Sequence, residues 1–430
     1  MPKRFFPLRR MTMGGLRKGT LTKPAYRVTA MTGIILAAVA VRACKFDFES
    51  TDYTVHLKHW YDYIHGHGGF SAVGDNFSTY NFSDYNAPYL YLLAALTYLP
   101  VQAQAGIKLI SVIFDLLLAF FAYRMASLRY PDSWQPVMAA AAVLFLPTVI
   151  MNGALWGQSD SIYAAFAVGG VYLLMRDRPW MACTFFGLAL AFKLQAVFIF
   201  PLLLVLALLK RLPWQTLIAV PATYLALDIP ALLLGASPEN LLTVYLRQTE
   251  SYQDLTLDAP SIYQWVTSST HADVLRTAGI LFTSAVLIAL IALVAVNRAA
   301  LTNLRIALLA ATSAVLVPFL LPSMHERYFY LADVLSVMVA FYLPRRLWYA
   351  PIAVQVSSAL SYLPFLGMPL FQGDAASLEF KLLAGVMALA LAALLGAGFR
   401  EFRKAGIAQS GIQESFPAGE PAPSAPGSGR

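Results

Sequence analysis

At 430 residues, 58% apolar and 13% charged, the chain carries about half the charge of an ordinary soluble domain, where about 25% of residues are charged. No water-soluble globule of this size hides so much apolar surface, and the mean hydropathy of +0.61 equally excludes a disordered chain, a collagen-like fibre and a disulfide scaffold; what fits is a polytopic membrane protein. The net charge of +8 then reports topology rather than an acidic partner, because Lys and Arg gather in cytoplasmic loops.

The first 27 residues hold eight basic side chains (Lys3, Arg4, Arg9, Arg10, Arg17, Lys18, Lys23, Arg27) and no acid. The apolar run that follows, to about Val41, is read as an uncleaved first crossing in preference to a signal peptide, because the basic leader is long and many spans follow. Residues 1–26 form a basic cytoplasmic leader, residues 27–404 a membrane domain, and residues 405–430, rich in Gly, Pro and Ser, a disordered cytoplasmic tail. Further apolar segments lie near 87–102, 106–125, 136–152, 159–175, 180–192, 194–209, 214–235, 274–296, 305–321, 328–343, 347–366 and 380–398. The connections at Arg124/Arg129, Arg176/Arg178, Lys210/Arg211, Arg298/Arg305, Arg345/Arg346 and Arg400/Arg403/Lys404 belong inside. Counting back from Lys210, the hairpins alternate until Arg124, so 106–125 runs from outside to inside. Everything from about Lys45 to Gln104 must then stay outside. The apolar stretch 87–102, with Pro88, Pro100 and the interface-seeking Tyr85, Tyr89, Tyr91 and Tyr98, is therefore an interfacial or re-entrant helix. Twelve crossings result, with both ends cytoplasmic.

Ionisable residues in a membrane protein are expensive and mark function, and here they collect on the outer side. The first outer loop, about 45–104, contains Asp47, Glu49, Asp52, His56, His59, Asp62, His65, His67, Asp75 and Asp84; the second, NGALWGQSDS, holds Asn152, Trp156, Gln158 and Asp160. The third brings Lys193 and Gln195, and the fifth, LPSMHERYFYLAD, brings His325, Glu326, Arg327 and Asp333. Asp52, a few residues beyond the first crossing, has the chemistry of a general base toward a hydroxyl, or is a solvated loop carboxylate. His325 and Arg327 have the chemistry of a phosphate clamp, or form an interfacial ion pair with Glu326. Lys193 interrupts an apolar run and either snorkels or meets an anion. Asp115 and Asp228, inside spans, read as helix-packing hydrogen-bond partners. His65 and His67 lack a spaced third ligand, so no metal site is expected. The sequons at Asn76 and Asn81 carry little information. There is no Walker motif, no GxSxG, no Rossmann fingerprint for a nucleotide sugar and no nucleic-acid module.

Several ordered blocks carry a family resemblance: TDYTVHLKHWYDYIHGHGGFSAV, YNAPYLYLLAALTYLP, KLISVIFD, NGALWGQSDSIYAAF, AFKLQAVFIFPLL, ESYQDLTLDAPSIYQW and VPFLLPSMHERYFYLADVLS. The chain resembles polytopic glycosyltransferases of the GT-C fold, and within them bacterial relatives of the enzyme that adds the second mannose to GPI anchors. The resemblance implies an all-α membrane fold with juxtamembrane helices in the first outer loop. It also implies an inverting transfer of a hexose, mannose or glucose, from a polyprenyl-phosphate donor to a glycan or lipid-linked acceptor on the extracytoplasmic face of the plasma (inner) membrane. By carry-over Asp52 is the base, with Asp47 and Asp62 as runners-up. The Asp-Tyr then Trp pattern of dolichol-pathway glucosyltransferases falls on Asp52, Tyr53 and Trp60. The His-Glu-basic motif at the donor phosphate falls on His325, Glu326 and Arg327, with Lys193 beside them. Gln158, Asp160 and Gln195 complete the expected substrate pocket. No metal or other cofactor is expected. A transporter, flippase or ligase for lipid-linked glycans is the alternative, disfavoured by the lack of internal repeats and by polar groups gathered at one face.

Overall fold

The computed structural model describes residues 23–78, 82–250, 254–266, 271–297, 300–368 and 377–414. Most of the leader and the sequon at Asn81 lie outside them. The described chain is almost entirely helical: α1 (Lys23–Ala43), α2 (Lys58–Gly66), α3 (Ala72–Asn76), α4 (Ala87–Leu96), α5 (Ala103–Arg129), α6 (Gln135–Leu144), α7 (Pro147–Ile150), α8 (Asp160–Met175), α9 (Pro179–Phe192), α10 (Phe200–Leu208), α11 (Ala219–Leu233), α12 (Pro238–Glu250), α13 (Ala272–Asn297), α14 (Asn303–Leu320), α15 (Tyr330–Tyr342), α16 (Pro344–Leu347), α17 (Ala350–Tyr362) and α18 (Leu378–Glu414). Two-residue strands β1 (Thr256–Leu257) and β2 (Met324–His325) pair in parallel. All-helical architecture is what a bilayer demands, since each helix satisfies its own backbone groups.

Six helices are long and apolar enough to cross a membrane, or seven if the pair 135–144 and 147–156, bent by 50°, counts as one. The other five of the twelve expected crossings are helices of 16 residues or fewer, among them α8, α9, α15 and α17. They are short because prolines or polar turns interrupt the apolar run: Pro179 opens α9 and Lys193 ends it, Pro344 follows α15, and the turn before α8 holds Gln158. At 1.5 Å per residue, the ten residues of α4 reach about 15 Å, half of a hydrocarbon core of about 30 Å. α18 continues through Glu414, into the stretch expected as a disordered tail; residues 415–430 are outside the described ones.

The main core joins α5, α6, α8, α9, α14, α15, α17 and α18 around Phe121, Val168, Phe186, Phe329 and Met387. A second core packs the first loop against the bundle: Trp60, Ile64, Val73, Phe77, Leu90 and Leu93 meet Ile107, Ile162, Ala231, Leu241 and Val244. The Phe77 carbonyl accepts from Ser237 N and Asn240 Nδ2, both at 2.9 Å. Gly74 permits this docking, because a Cβ there would meet the Leu234 carbonyl at 2.0 Å. Asn76 is buried with its amide spent on Phe82 N, Ser83 N and the Ser83 carbonyl, so it offers nothing to a glycan.

The basic connections gather at one end of the bundle. Arg27 donates to the Asp132 carbonyl, Tyr130 to the Phe341 carbonyl at 3.0 Å, and Arg305 to the Glu401 carbonyl at 3.0 Å. Arg346 meets Glu401 at 3.4 Å, and Arg211 meets Asp177 at 2.6 Å. Four of the seven tryptophans, Trp134, Trp180, Trp214 and Trp348, follow those connections and are exposed, the placement of an interfacial aromatic belt. Inside the bundle Asp115 pairs with Arg42 at 2.8 Å, both about 1% exposed, which ties α1 to α5. Asp228, buried in α11, has the Asn86 side chain as its hydrogen-bonding neighbour, and the Asn86 amide also donates to the Ala191 carbonyl at 3.1 Å, which ties α11 and α9 to the start of α4.

Candidate active site

Opposite the basic end, three connections converge. The link from α1 to Asp52 is gripped from α5. The Lys108 ammonium donates to the carbonyls of Lys45, Phe46 and Phe48 at 3.1, 3.0 and 2.5 Å, and Gln104 donates to the Phe48 carbonyl at 2.8 Å. Ser50 Oγ accepts from Tyr53 N at 3.1 Å and donates to the Trp156 carbonyl at 2.7 Å. Asp52 thus stands at the mouth of the π-helical turn Tyr53–Leu57, its side chain 28% exposed.

The second connection delivers Gln158. Gly157 adopts φ +79° after the π-helical turn Met151–Trp156, a conformation suited to glycine, and this turns Gln158 toward Asp52. Its Nε2 donates to the Asp52 carboxylate. Its Oε1 accepts from the Tyr85 hydroxyl at 3.2 Å, and its backbone carbonyl from Ser111 Oγ at 2.6 Å. Every hydrogen-bonding arm of Gln158 named here is fixed, so the carboxylate it holds is fixed too.

The third connection supplies Arg327. It lies 2.8 Å from Glu326 and 3.8 Å from Asp52, its guanidinium 5.5 Å from the Trp156 ring, within cation–π range. Its Nε is buried without a hydrogen-bond partner among the described residues. His325 Nδ1 lies 3.6 Å from Glu326, and β1 grips the His325 backbone. Burial drives the Glu326 carboxyl up, but the Arg327 charge and neighbouring His325 outweigh it and hold the group below its ordinary value. Burial also works against the Arg327 charge, and Glu326, Asp52 and Asp160 more than offset it, so the guanidinium stays charged.

Lys193 meets Asp160 at 2.6 Å, both nearly inaccessible, and lies 5.4 Å from the Tyr85 ring. Asn152 donates to the same carboxylate at 2.7 Å. Burial lowers the Lys193 pKa and Asp160 partly restores it. Asp160 is thus the counter-ion of Lys193, enclosed at 1% exposure. Trp60 packs on Tyr85 with ring centroids 5.1 Å apart, whereas Tyr53 is buried in the second core and Gln195 in the turn Leu194–Ile199. The runners-up to Asp52 stand elsewhere: Asp62 is exposed and pairs with Lys58, and Asp47 is exposed near Lys108. His65 and His67 stack on Tyr61 and Tyr63.

Two members of this cluster escaped sequence reasoning. Tyr85 reads as an interface anchor, yet it bonds Gln158, accepts from Ser159 Oγ at 3.3 Å and borders Lys193. Lys108 passes as a charge near the start of a span; only its depth in α5, one turn before Ser111, hints at a buried partner.

An acid beside a buried cation at the end of a helical bundle suits group transfer, and the chain itself settles the class. The family model for glycosyltransferase family 87 matches residues 82–323, more than half of the sequence. The chain belongs to glycosyltransferase family 87. It is an all-α, polytopic membrane glycosyltransferase of the GT-C type. The family match takes in Tyr85, Lys108, Gln158, Asp160 and Lys193, while Asp52 and His325–Arg327 flank its two ends. No curated protein matches the chain.

Proposed function

We propose that this family 87 enzyme moves a hexose, mannose by resemblance, from a polyprenyl-phosphate carrier to a hydroxyl of a glycan or lipid-linked acceptor, with inversion. The observation that carries this reading is the Asp52 carboxylate held between Gln158 and Arg327. Asp52 takes the proton of the acceptor hydroxyl as its oxygen attacks the anomeric carbon. The bond from that carbon to the phosphate oxygen breaks, and the lipid phosphate leaves with the electron pair. Arg327, with His325 and Lys193, balances the charge that develops there. In-line displacement puts base and leaving oxygen on opposite faces of the sugar, so the 3.8 Å contact of Arg327 with Asp52 opens as the donor phosphate takes Asp52's place. Asp160 keeps Lys193 charged and positioned. Gln158 and Glu326 stand beside the sugar, Trp60 backs Tyr85 behind them, and the buried Tyr53 and Gln195 support the turns that carry Asp52 and Lys193.

The setting supports the same chemistry. A prenyl tail stays in hydrocarbon while its sugar phosphate reaches the cluster, and no nucleotide is needed. With the basic connections cytoplasmic, the cluster faces away from the cytoplasm of the plasma membrane, the leader and tail lie inside, and residues 27–404 form one catalytic domain.

Incubating the purified protein with a panel of polyprenyl-phosphate hexoses, and with nucleotide sugars for comparison, tests the proposal. Transfer from a polyprenyl-phosphate hexose with inverted anomeric configuration is expected. Transfer from nucleotide sugars alone would overturn the donor assignment.

A further inference from the structure

Away from the cluster, α10, α13, α14 and α18 enclose a groove of about 440 Å³, within the size range of ligand sites. Its walls are aliphatic and aromatic, with Val205, Leu290, Leu309 and Phe399 among them; Asn297 and Arg403 stand at one end. The outer wall, α13, is barely covered, with Leu281, Ile288, Leu293 and Val296 exposed, so the groove opens sideways into hydrocarbon. The end with Asn297 and Arg403 is the basic end of the bundle. Arg305 stands there too, 5.6 Å from the Phe402 ring, and its Nε is buried without a hydrogen-bond partner among the described residues.

A soluble metabolite would find few polar groups along this groove, and a purely apolar guest would leave Arg403 and the Arg305 Nε at its mouth unmet, the other Arg305 nitrogens being held by the Ala300 and Glu401 carbonyls. A long apolar chain with an anionic head satisfies both. The sugar donor is not that molecule. The cluster proposed to hold its phosphate lies at the opposite end of α5, whose 27 residues separate the two ends by about 40 Å. We infer that the groove binds one acyl chain of an anionic phospholipid from the leaflet at the basic end, its phosphate against Arg403 and Arg305. The bound chain fastens α13 to α10, α14 and α18, and so stabilises the folded bundle by mass action.

The test uses the full chain, purified in detergent and offered phosphatidylglycerol and phosphatidylcholine in equal amounts, with retained lipid read by native mass spectrometry. The wild type is expected to retain about one phosphatidylglycerol. Leu309→Trp, which fills the groove, retains none. Arg403→Gln, at an exposed position, keeps the site but lowers the preference for phosphatidylglycerol about fivefold, the effect of one cation at a membrane surface. The inference fails if the wild type retains no phospholipid or shows no preference, if Leu309→Trp retains as much as the wild type, or if Arg403→Gln leaves the preference unchanged. Should Leu309→Trp not fold, Arg403→Gln alone decides. A polyprenyl phosphate co-purifying in the groove would overturn the phospholipid reading.

Discussion

Replacing Asp52 by Asn separates its two contacts. The amide keeps the shape and still accepts from Gln158, so the turn Tyr53–Leu57 stays in place. The charge is lost. At 3.8 Å from Arg327, the pair's Coulomb energy is about 1 kcal/mol in bulk water and about 4 kcal/mol at an effective dielectric of about 20. With Asp52 28% exposed and Arg327 also paired to Glu326, the lower half of that range applies. Losing a general base costs about 10²–10⁴ in rate, or about 3–5 kcal/mol of barrier. Asp52→Asn is therefore expected to lower kcat 10²–10⁴-fold while donor affinity holds or rises a few-fold, because Arg327 loses a competitor of the phosphate. Initial rates with labelled donor, donor binding in detergent and a thermal melt read the three quantities separately. Near-normal turnover would refute the assignment, and so would weakened donor binding with kcat preserved, which would make Asp52 a donor contact.

Lys108→Met removes a cation from three backbone carbonyls; charge-assisted hydrogen bonds contribute about 1.5–3 kcal/mol each. A clear drop in melting temperature and at least a tenfold loss of turnover are expected, with partial rescue in Lys108→Arg; wild-type behaviour would show that the link to Asp52 needs no clamp. Arg327→Gln removes the charge that most strongly opposes burial at Glu326 and leaves His325 and a backbone hydrogen bond, so that carboxyl's folded pKa moves up from its lowered value. The wild type, with Glu326 held low, loses stability as pH falls through the lowered value, and the variant loses less of it over the same acid range. Melts from neutral pH down to about pH 3 read the difference, and parallel curves would refute it. With Cys44 and Cys183 replaced by Ser, single cysteines at the exposed Asp84 and Tyr98 should both react with an impermeant maleimide from one side, and one at Trp180 from the other. Labelling of Asp84 and Tyr98 from opposite sides would mean that α4 crosses.

Much of the architecture was legible because a bilayer imposes simple rules. Long apolar runs become helices, and charge parity puts 87–102, whose helix is ten residues long, outside. Asp52 stood out by its place just past the first span, and His325–Arg327 by their motif. The partner of Asp160 was not legible: it is Lys193, 33 residues on, and nothing local announces a pair across two helices.

Composition and charge order by themselves determined that this chain is a helical membrane protein, with basic connections at one end and its polar loop clusters at the other, because hydropathy and the Lys/Arg bias act on the chain segment by segment. Only the tertiary structure decided what surrounds the candidate base. Asp47, Asp52 and Asp62 share one loop and similar surroundings in sequence. Gln158 and Arg327 approach Asp52 alone of the three, because Lys108, Gly157 and the ladder at His325 bring three distant connections together.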